Sequence, residues 1–288
     1  MFGLTEKDWD HGAVADPASS LLADEHKRRA RDQWGANPCG TNAAGDLQFG
    51  TREYFDAIEH YRYNVYAPWM KQEVDFDRFR DKRLLEIGFG TGTDLLQFAR
   101  GGALVTGVDL TPRSIDIARR RFAVYGQQGE FLIGDGENLS FPDESFDVVY
   151  SFGVLHHTPD TARAIREVHR VLRPGGKAIV MLYHRGSLAY WGGLIFKQGI
   201  LRGKLLRNSV AEIMSRQVEY GAEESRPLVK AYSREEARTL FREYRVCEIR
   251  INQLTRRELR PFGGMVPEPV FNWLAERFGW NLLIKATR

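Results

Sequence analysis

From residue 83 to 184, short apolar runs alternate with stretches whose apolar residues recur at helical spacing. RLLEIG, ALVTGVDL, GEFLIGD, FDVVYSFGVLHH and KAIVMLY read as five strands, and LLQFAR, SIDIARRRFAVYG and TARAIREVHRVL as helices between them. Runs that are apolar on both faces belong to parallel sheets covered on both sides. Right-handed crossovers then give a doubly wound α/β layer. Residues 185–230 break this alternation. It resumes with SREEARTLFREY, where Ser233 and Glu236 form a capping box. RVCEIRINQL is the expected sixth strand, FNWLAERF a helix, and WNLLIKATR a closing strand.

The flanks carry weaker patterns. Residues 1–31 are charged, and the run DEHKRRARD at 24–32 predicts a solvated helix or a loosely held arm. Residues 32–50, crowded with Gly, Asn and Pro, read mostly as loop. Trp34, Cys39 and Phe49 make that loop too apolar to hang free, and long ordered loops tend to serve sites. In 51–72, Tyr54, Ile58, Tyr61 and Val65 share a helical spacing that predicts one core face. Tyr63 and Tyr66 are left for another surface, and Pro68 ends or kinks the helix. The segment HRGSLAYWGGLIFKQGIL is followed by Arg202, Lys204 and Arg207. It predicts a helical lid, with a lipid-surface contact through 188–207 as the alternative. The chain thus divides into an arm and aromatic cap (1–75), a nucleotide-binding core (76–184), a lid (185–230) and the C-terminal part of the sheet (231–288).

With 43% hydrophobic and 27% charged residues over 288 positions, a sizeable core is expected without covalent staples. A net charge of +3 gives no sign of nucleic-acid binding. Cys39 and Cys247 lack metal-ligand spacing and read as thiols in a reducing compartment. No basic and apolar leader and no bilayer-length apolar run is seen, so a cytoplasmic protein is expected.

The chemistry concentrates in LLEIGFGTGTDLL at 84–96, a strand, a Gly-x-Gly-x-Gly turn and a helix start. Glycine at Gly88, Gly90 and Gly92 lets a ligand approach the backbone, and the helix N-terminus offers unpaired N–H groups. Alone this signature is weak. It gains weight because Asp109 and Asp135 end the next two strands, and such carboxylates face one crevice. Asp109 also reads as a helix cap before Thr111 and Pro112, and Asp135 as a turn residue before Gly136. Asp147 reads as a brace for the fourth strand. The pair His156–His157, taken as lying on a strand, points to opposite faces, which disfavours a shared metal. Either one is a candidate base or acceptor-binding group. His184 and Arg185 sit at the end of the fifth strand as acceptor-side candidates. Arg256, Arg257 and Arg260 suit an anionic acceptor or a solvated surface.

LEIGFGTG at 85–92, VDLTP at 108–112, GDGENLSFPDESFDVVYSFGVLHHTPD at 134–160 and REVHRVLRPGGKAIV at 166–180 together resemble the class I S-adenosylmethionine-dependent methyltransferases. The resemblance is to the type 11 branch, which methylates small molecules such as quinone precursors, sterols and natural products. It implies a Rossmann-like sheet of seven strands with the last antiparallel. Glu86, Gly88, Gly90, Thr91 and Gly92 would meet the methionine end of S-adenosylmethionine. Asp109 would accept from both ribose hydroxyls, for which a carboxylate has two oxygens. Asp135, Gly136 and Glu137 would lie beside the adenine, with Leu110 and Phe152 on its faces. Ser151 and Phe152 would stand where the methyl group emerges.

The implied reaction aligns an acceptor lone pair with the S–CH3 bond and excludes water. A base is needed only if the acceptor must lose a proton, and His156, His157, Tyr63 and His184 are the candidates. The acceptor is expected to be small, apolar or aromatic, roofed by 32–72 and 185–230, with tyrosines 54, 61, 63 and 66 closing over it or over the sulfonium. A nicotinamide-dependent oxidoreductase shares the strand–turn–helix but requires a third glycine three residues on, which is missing here. A cofactor-binding scaffold without turnover is the other alternative.

Overall fold

The computed structural model describes residues 25–218 and 226–288. Residues 1–24 and 219–225, and with them part of the predicted arm and lid, lie outside the described residues. Seven strands form one sheet in the order β3-β2-β1-β4-β5-β7-β6. They are β1 (Arg83–Ile87), β2 (Leu104–Asp109), β3 (Glu130–Ile133), β4 (Phe146–Phe152), β5 (Leu172–Tyr183), β6 (Val246–Asn252) and β7 (Asn281–Thr287). β1 to β5 run parallel, and β7 lies antiparallel between β5 and β6. The expected sheet, including its antiparallel last strand, is therefore present. The RPGG stretch is drawn into β5, where the ladder with β4 slips between Phe146 and Val148.

Alternation along the strands sets two cores. Leu84, Val148 and Tyr150 face one side, and Leu85, Ile87 and Val149 the other. The crossover helices begin at side-chain caps that satisfy otherwise orphaned N–H groups. Thr111 caps Pro112–Val124, Asp160 caps Thr161–Val171, and the predicted Ser233–Glu236 capping box is formed. Asp147 braces β1 and β5, accepting from the Arg83 amide at 2.8 Å and pairing with Arg173 at 3.0 Å. The strand order reverses between β1 and β4, which opens a crevice at their carboxyl ends.

Three local readings change. Helix α1 (Glu25–Ala36) runs through the start of the expected loop, leaving 37–51 as the connection. Helix α2 (Arg52–His60) widens into a π-helical turn at Tyr61–Tyr66. The extra residue per turn rotates the face: Tyr54, Ile58 and Tyr63 are buried, whereas Tyr61 and Val65 are exposed. β4 stops at Phe152, so His156 and His157 stand on a single 3₁₀ turn, Leu155–His157, with their rings 4.2 Å apart.

Candidate active site

The crevice opens into a cavity of about 470 Å³. Its floor is made of strand ends: Glu86 near the end of β1 with Gly88, Gly90 and Thr91 after it, Asp109 closing β2 with Leu110 after it, Asp135 and Gly136 after β3, and Phe152 closing β4. Its roof comes from α1 and the connection after it, and from Ile58, Tyr61, Arg62 and Tyr66. Of the expected donor residues, Gly92, Glu137 and Ser151 do not line it. The Ser151 hydroxyl turns into the sheet and donates to the Ile87 carbonyl at 3.0 Å.

The glycines serve different ends. A Cβ at Gly88 would meet Val154 at 2.3 Å, and one at Gly92 would press on Ala118 at 3.1 Å, so both are packing requirements. At Gly90, with φ of +53°, a Cβ would meet nothing within 4 Å. This is the one of the three whose backbone faces open space.

Each floor carboxylate is held differently. Asp109 Oδ1 accepts from the Thr111 amide and hydroxyl, both at 2.9 Å, and Oδ2 accepts from the Gly90 amide at 3.0 Å. Burial raises its carboxyl above the usual range, although these bonds oppose the rise. Glu86 is buried with Oε2 unpartnered. Burial, reinforced by the Asp94 charge and opposed by Arg62, lifts its carboxyl well above the ordinary value. Asp135 Oδ1 accepts from the Glu137 amide at 2.9 Å, and its Oδ2 lies 2.6 Å from Lys27 Nζ, which also meets Glu137 at 2.6 Å. Lys27 thus ties α1 across the cavity onto the position expected for the adenine.

A second cluster was not anticipated. Asp94, in the first turn of the helix after the glycine loop (Thr93–Arg100), is buried beneath Arg62. It accepts from Arg62 Nε at 3.1 Å, from Arg62 Nη2, from the Tyr63 hydroxyl at 2.7 Å and from the Tyr150 hydroxyl at 2.8 Å. Burial works to raise this carboxyl, but the Arg62 charge and the hydrogen bonds outweigh it and hold it below its ordinary value. The guanidinium lies 4.3 Å from the Phe152 ring centroid, at the cavity wall. An acidic residue two positions beyond the last glycine was the one available signal. Nothing in the sequence pattern singled out Arg62 or Lys27.

The histidine and tyrosine candidates separate. His157 lines the cavity, with Nδ1 2.7 Å from the Leu228 carbonyl and the Trp34 ring edge-on at 4.8 Å. Burial lowers its pKa to about 4, so the ring is neutral and Nδ1 carries the proton given to Leu228. His156 lies behind it against Tyr183, and burial pushes its pKa well down. His184 pairs with the Gly279 carbonyl at 3.0 Å. Neither His156 nor His184 lines the cavity, nor does Tyr63, whose hydroxyl is given to Asp94. Arg185 pairs with Glu236. None of the described residues of 185–218 lines the cavity. Tyr190 and Leu194 of that segment join the same buried cluster as Tyr183.

The residues fit a cationic nucleoside ligand. Four buried acids line one cavity, Glu86 with an orphaned oxygen and Asp94 already paired with Arg62, beside a glycine that leaves room at the backbone. Residues 85–180 match the family model described as a methyltransferase domain. The chain is 45% identical over 97 residues to the phthiotriol/phenolphthiotriol dimycocerosates methyltransferase of Mycobacterium leprae, covering 33% of this chain and 35% of that one. It is 34% identical over 146 residues to the demethylmenaquinone methyltransferase of Thermus thermophilus, covering 44% and 66%. The S-adenosylmethionine-dependent methyltransferase of Mesorhizobium loti shares the fold, with a TM-score of 0.56 at 22% identity over 78% of this chain and 99% of that one. The chain therefore carries a class I S-adenosylmethionine-dependent methyltransferase domain. Within that class, residues 85–180 belong to the type 11 branch, whose cofactor is S-adenosylmethionine rather than a nicotinamide. The match spans about a third of the length of the first of these relatives.

Proposed function

We propose that this protein transfers a methyl group from S-adenosylmethionine to a small, apolar or aromatic molecule by in-line displacement. One observation carries the reading: a single cavity has a buried acidic floor (Glu86, Asp109, Asp135) and an aromatic side (Trp34, Tyr61, Tyr66, Phe152, Tyr183). The cofactor, when bound, supplies an activated methyl group on a positively charged sulfur. The protein's contribution is placement and exclusion of water, worth up to roughly 7–11 kcal/mol in well-oriented cases.

Asp109 is suited to the ribose hydroxyls, because its oxygens are already aimed by Thr111 and Gly90. Glu86 offers its unpartnered oxygen to the ammonium of the methionine end. Arg62, fixed through Nε and Nη2, has no partner at Nη1 among the described residues and suits the carboxylate of that same end. Asp135, released from Lys27, would accept from the adenine amine. On the acceptor side, His157 is a neutral ring whose low pKa makes it a hydrogen-bond acceptor that orients a hydroxyl, not a strong base. An acceptor that needs little help in losing its proton fits this site.

The named relatives act on a phthiotriol-type lipid and on demethylmenaquinone, which supports an apolar acceptor here. A membrane-proximal setting for 188–207 belongs with that reading, since such acceptors partition into lipid. The two cysteines, neither in a disulfide, support a reducing cytoplasm. Tritiated-methyl transfer to a panel of quinols, phenols and lipid alcohols tests the proposal. Incorporation into at least one, abolished by Asp109→Ala, supports it, and donor binding without transfer to any of them counts against it.

A further inference from the structure

The inserted segment after β5 has an unusual surface. Ala189–Leu201 forms a wide, π-type helix, followed by a 3₁₀ turn at Lys204–Leu206. Tyr190 and Leu194 pack inward on the core. The opposite side is apolar too: Trp191 is 57% exposed, Phe196 54%, Leu201 67% and Leu206 88%, with Ile200 beside them. A helix that is apolar all round is normally buried or in contact with lipid, and a contiguous exposed apolar patch marks an interaction site. No helix among the described residues is long and apolar enough to cross a membrane.

Charge selects the occupant. From His184 to Ala211 the chain contains no acidic residue. Lys197, Arg202, Lys204 and Arg207 are interspersed along the chain with these apolar residues, and none is in an ion pair among the described residues. Apolar residues flanked by uncompensated basic ones match the boundary between acyl chains and anionic headgroups. A protein partner would need an acidic rim around an apolar groove. A second copy of this chain would set basic rim against basic rim.

Topology adds a second patch at the same end of the sheet. Tyr183, Asn281 and Asn252 are in register across β5, β7 and β6. Residues 184–232 and 253–280 therefore leave the sheet at one end. The second segment exposes Phe262, Met265 and Trp273. Tyr183, from which the first departs, also lines the cavity. We propose that residues 189–207 dock the protein on an anionic lipid bilayer, with Trp191, Phe196, Ile200, Leu201 and Leu206 entering the headgroup boundary and the four basic residues on the phosphates. Docking places the cavity wall at Tyr183 beside the bilayer, a route for a lipid-dissolved acceptor. This last point rests on the proposed reaction, whereas the docking itself does not.

Sedimentation of the full chain with vesicles tests it, comparing phosphatidylglycerol–phosphatidylcholine mixtures with phosphatidylcholine alone. Binding to the anionic vesicles, weakened by salt, is expected. Each of Lys197→Gln, Arg202→Gln and Lys204→Gln should reduce it about fivefold. Phe196→Ser with Leu206→Ser should abolish it. Affinity for S-adenosylhomocysteine should be unchanged in all of these, since none of the residues lines the cavity, and that shows the variants are folded. In the unaltered protein, anionic vesicles should shift tryptophan emission to the blue, and Trp191→Phe should remove most of that shift. Equal binding to neutral vesicles, variants that bind like the parent, or a solution dimer dissociated by Phe196→Ser would each overturn the proposal. Loss of vesicle binding with methyl transfer intact would leave the reaction standing, so the two readings fail separately.

Discussion

The floor and the roof of the cavity are built by different physics. On the floor, Glu86, Asp109 and Asp135 sit at the ends of neighbouring parallel strands, and their fixing bonds are mostly short-range. Asp109 is held by Thr111, two residues on, and Asp135 by the Glu137 amide. The roof is tied to the floor by contacts between distant parts of the chain: Lys27 to Asp135, Arg62 to Asp94, Trp34 to His157. A floor of this kind forms with the sheet, whereas the roof depends on a few charged and aromatic contacts. On the proposed reading the sheet supplies the carboxylates that meet the donor, while the roof adds Arg62 and the contacts that control access.

The sharpest way to break this division is at Asp94, where the two meet. Asp94→Ala removes the carboxylate paired with Arg62 and leaves the Tyr63 and Tyr150 hydroxyls only their weaker acceptors, the Thr93 carbonyl at 3.5 Å and the Met70 sulfur at 4.0 Å. A loss of about 3–5 kcal/mol in folding stability is expected, read from urea denaturation. A loss below about 1 kcal/mol would mean that the cluster is not a joint at all.

Acid should act next. The His157 pKa is depressed in the folded state, to about 4, against roughly 6.5 in the unfolded chain. The unfolded chain therefore binds more protons in this window, and stability falls as pH drops from about 6.5 towards 4. The change is of order 3 kcal/mol, in the same direction as that from the buried His156. His157→Asn should flatten the curve over that range in urea titrations at successive pH values. An unaltered slope would show that His157 does not titrate as argued.

Asp109→Ala tests the floor alone. If Asp109 holds the ribose as proposed, the substitution should weaken S-adenosylhomocysteine binding by about 2–3 kcal/mol, a hundredfold or so, by calorimetry, while leaving the roof in place. Unchanged affinity would end the assignment of the sugar to this residue. Lys27→Met tests the roof alone. Lys27 meets both carboxylates from a largely buried position. Its loss should speed donor association by about tenfold in stopped-flow mixing, because the charge-assisted contact that must open before Asp135 meets the adenine is worth about 1.5 kcal/mol. A change in equilibrium affinity with the association rate unaltered would place Lys27 in the donor site itself rather than on its lid.

Much of this molecule was legible in one dimension. The alternation of apolar runs and helical periods gave the doubly wound layer, because a strand buried on both faces and a helix with one apolar stripe are local patterns. The same locality put Glu86, Asp109 and Asp135 at strand ends. His156 and His157 went astray for a reason that is also local: the apolar run hid the end of β4, and a 3₁₀ turn set both rings on one side. At Tyr61–Tyr66 the error was one of phase, since a π-helical turn conserves the apolar residues but rotates which of them face inward.

The sequence by itself determined the sheet, its crossovers and the acidic floor, because those follow from periodicity and from bonds spanning a few residues. Only the tertiary structure decided that Lys27 would cross to Asp135, that Asp94 would gather Arg62, Tyr63 and Tyr150, and that the segment after β5 would turn its apolar side outward rather than over the cavity. Those contacts join side chains separated by tens to a hundred residues along the chain. No repeat in the sequence encodes them; they arise when the layers pack and bring the partners within reach.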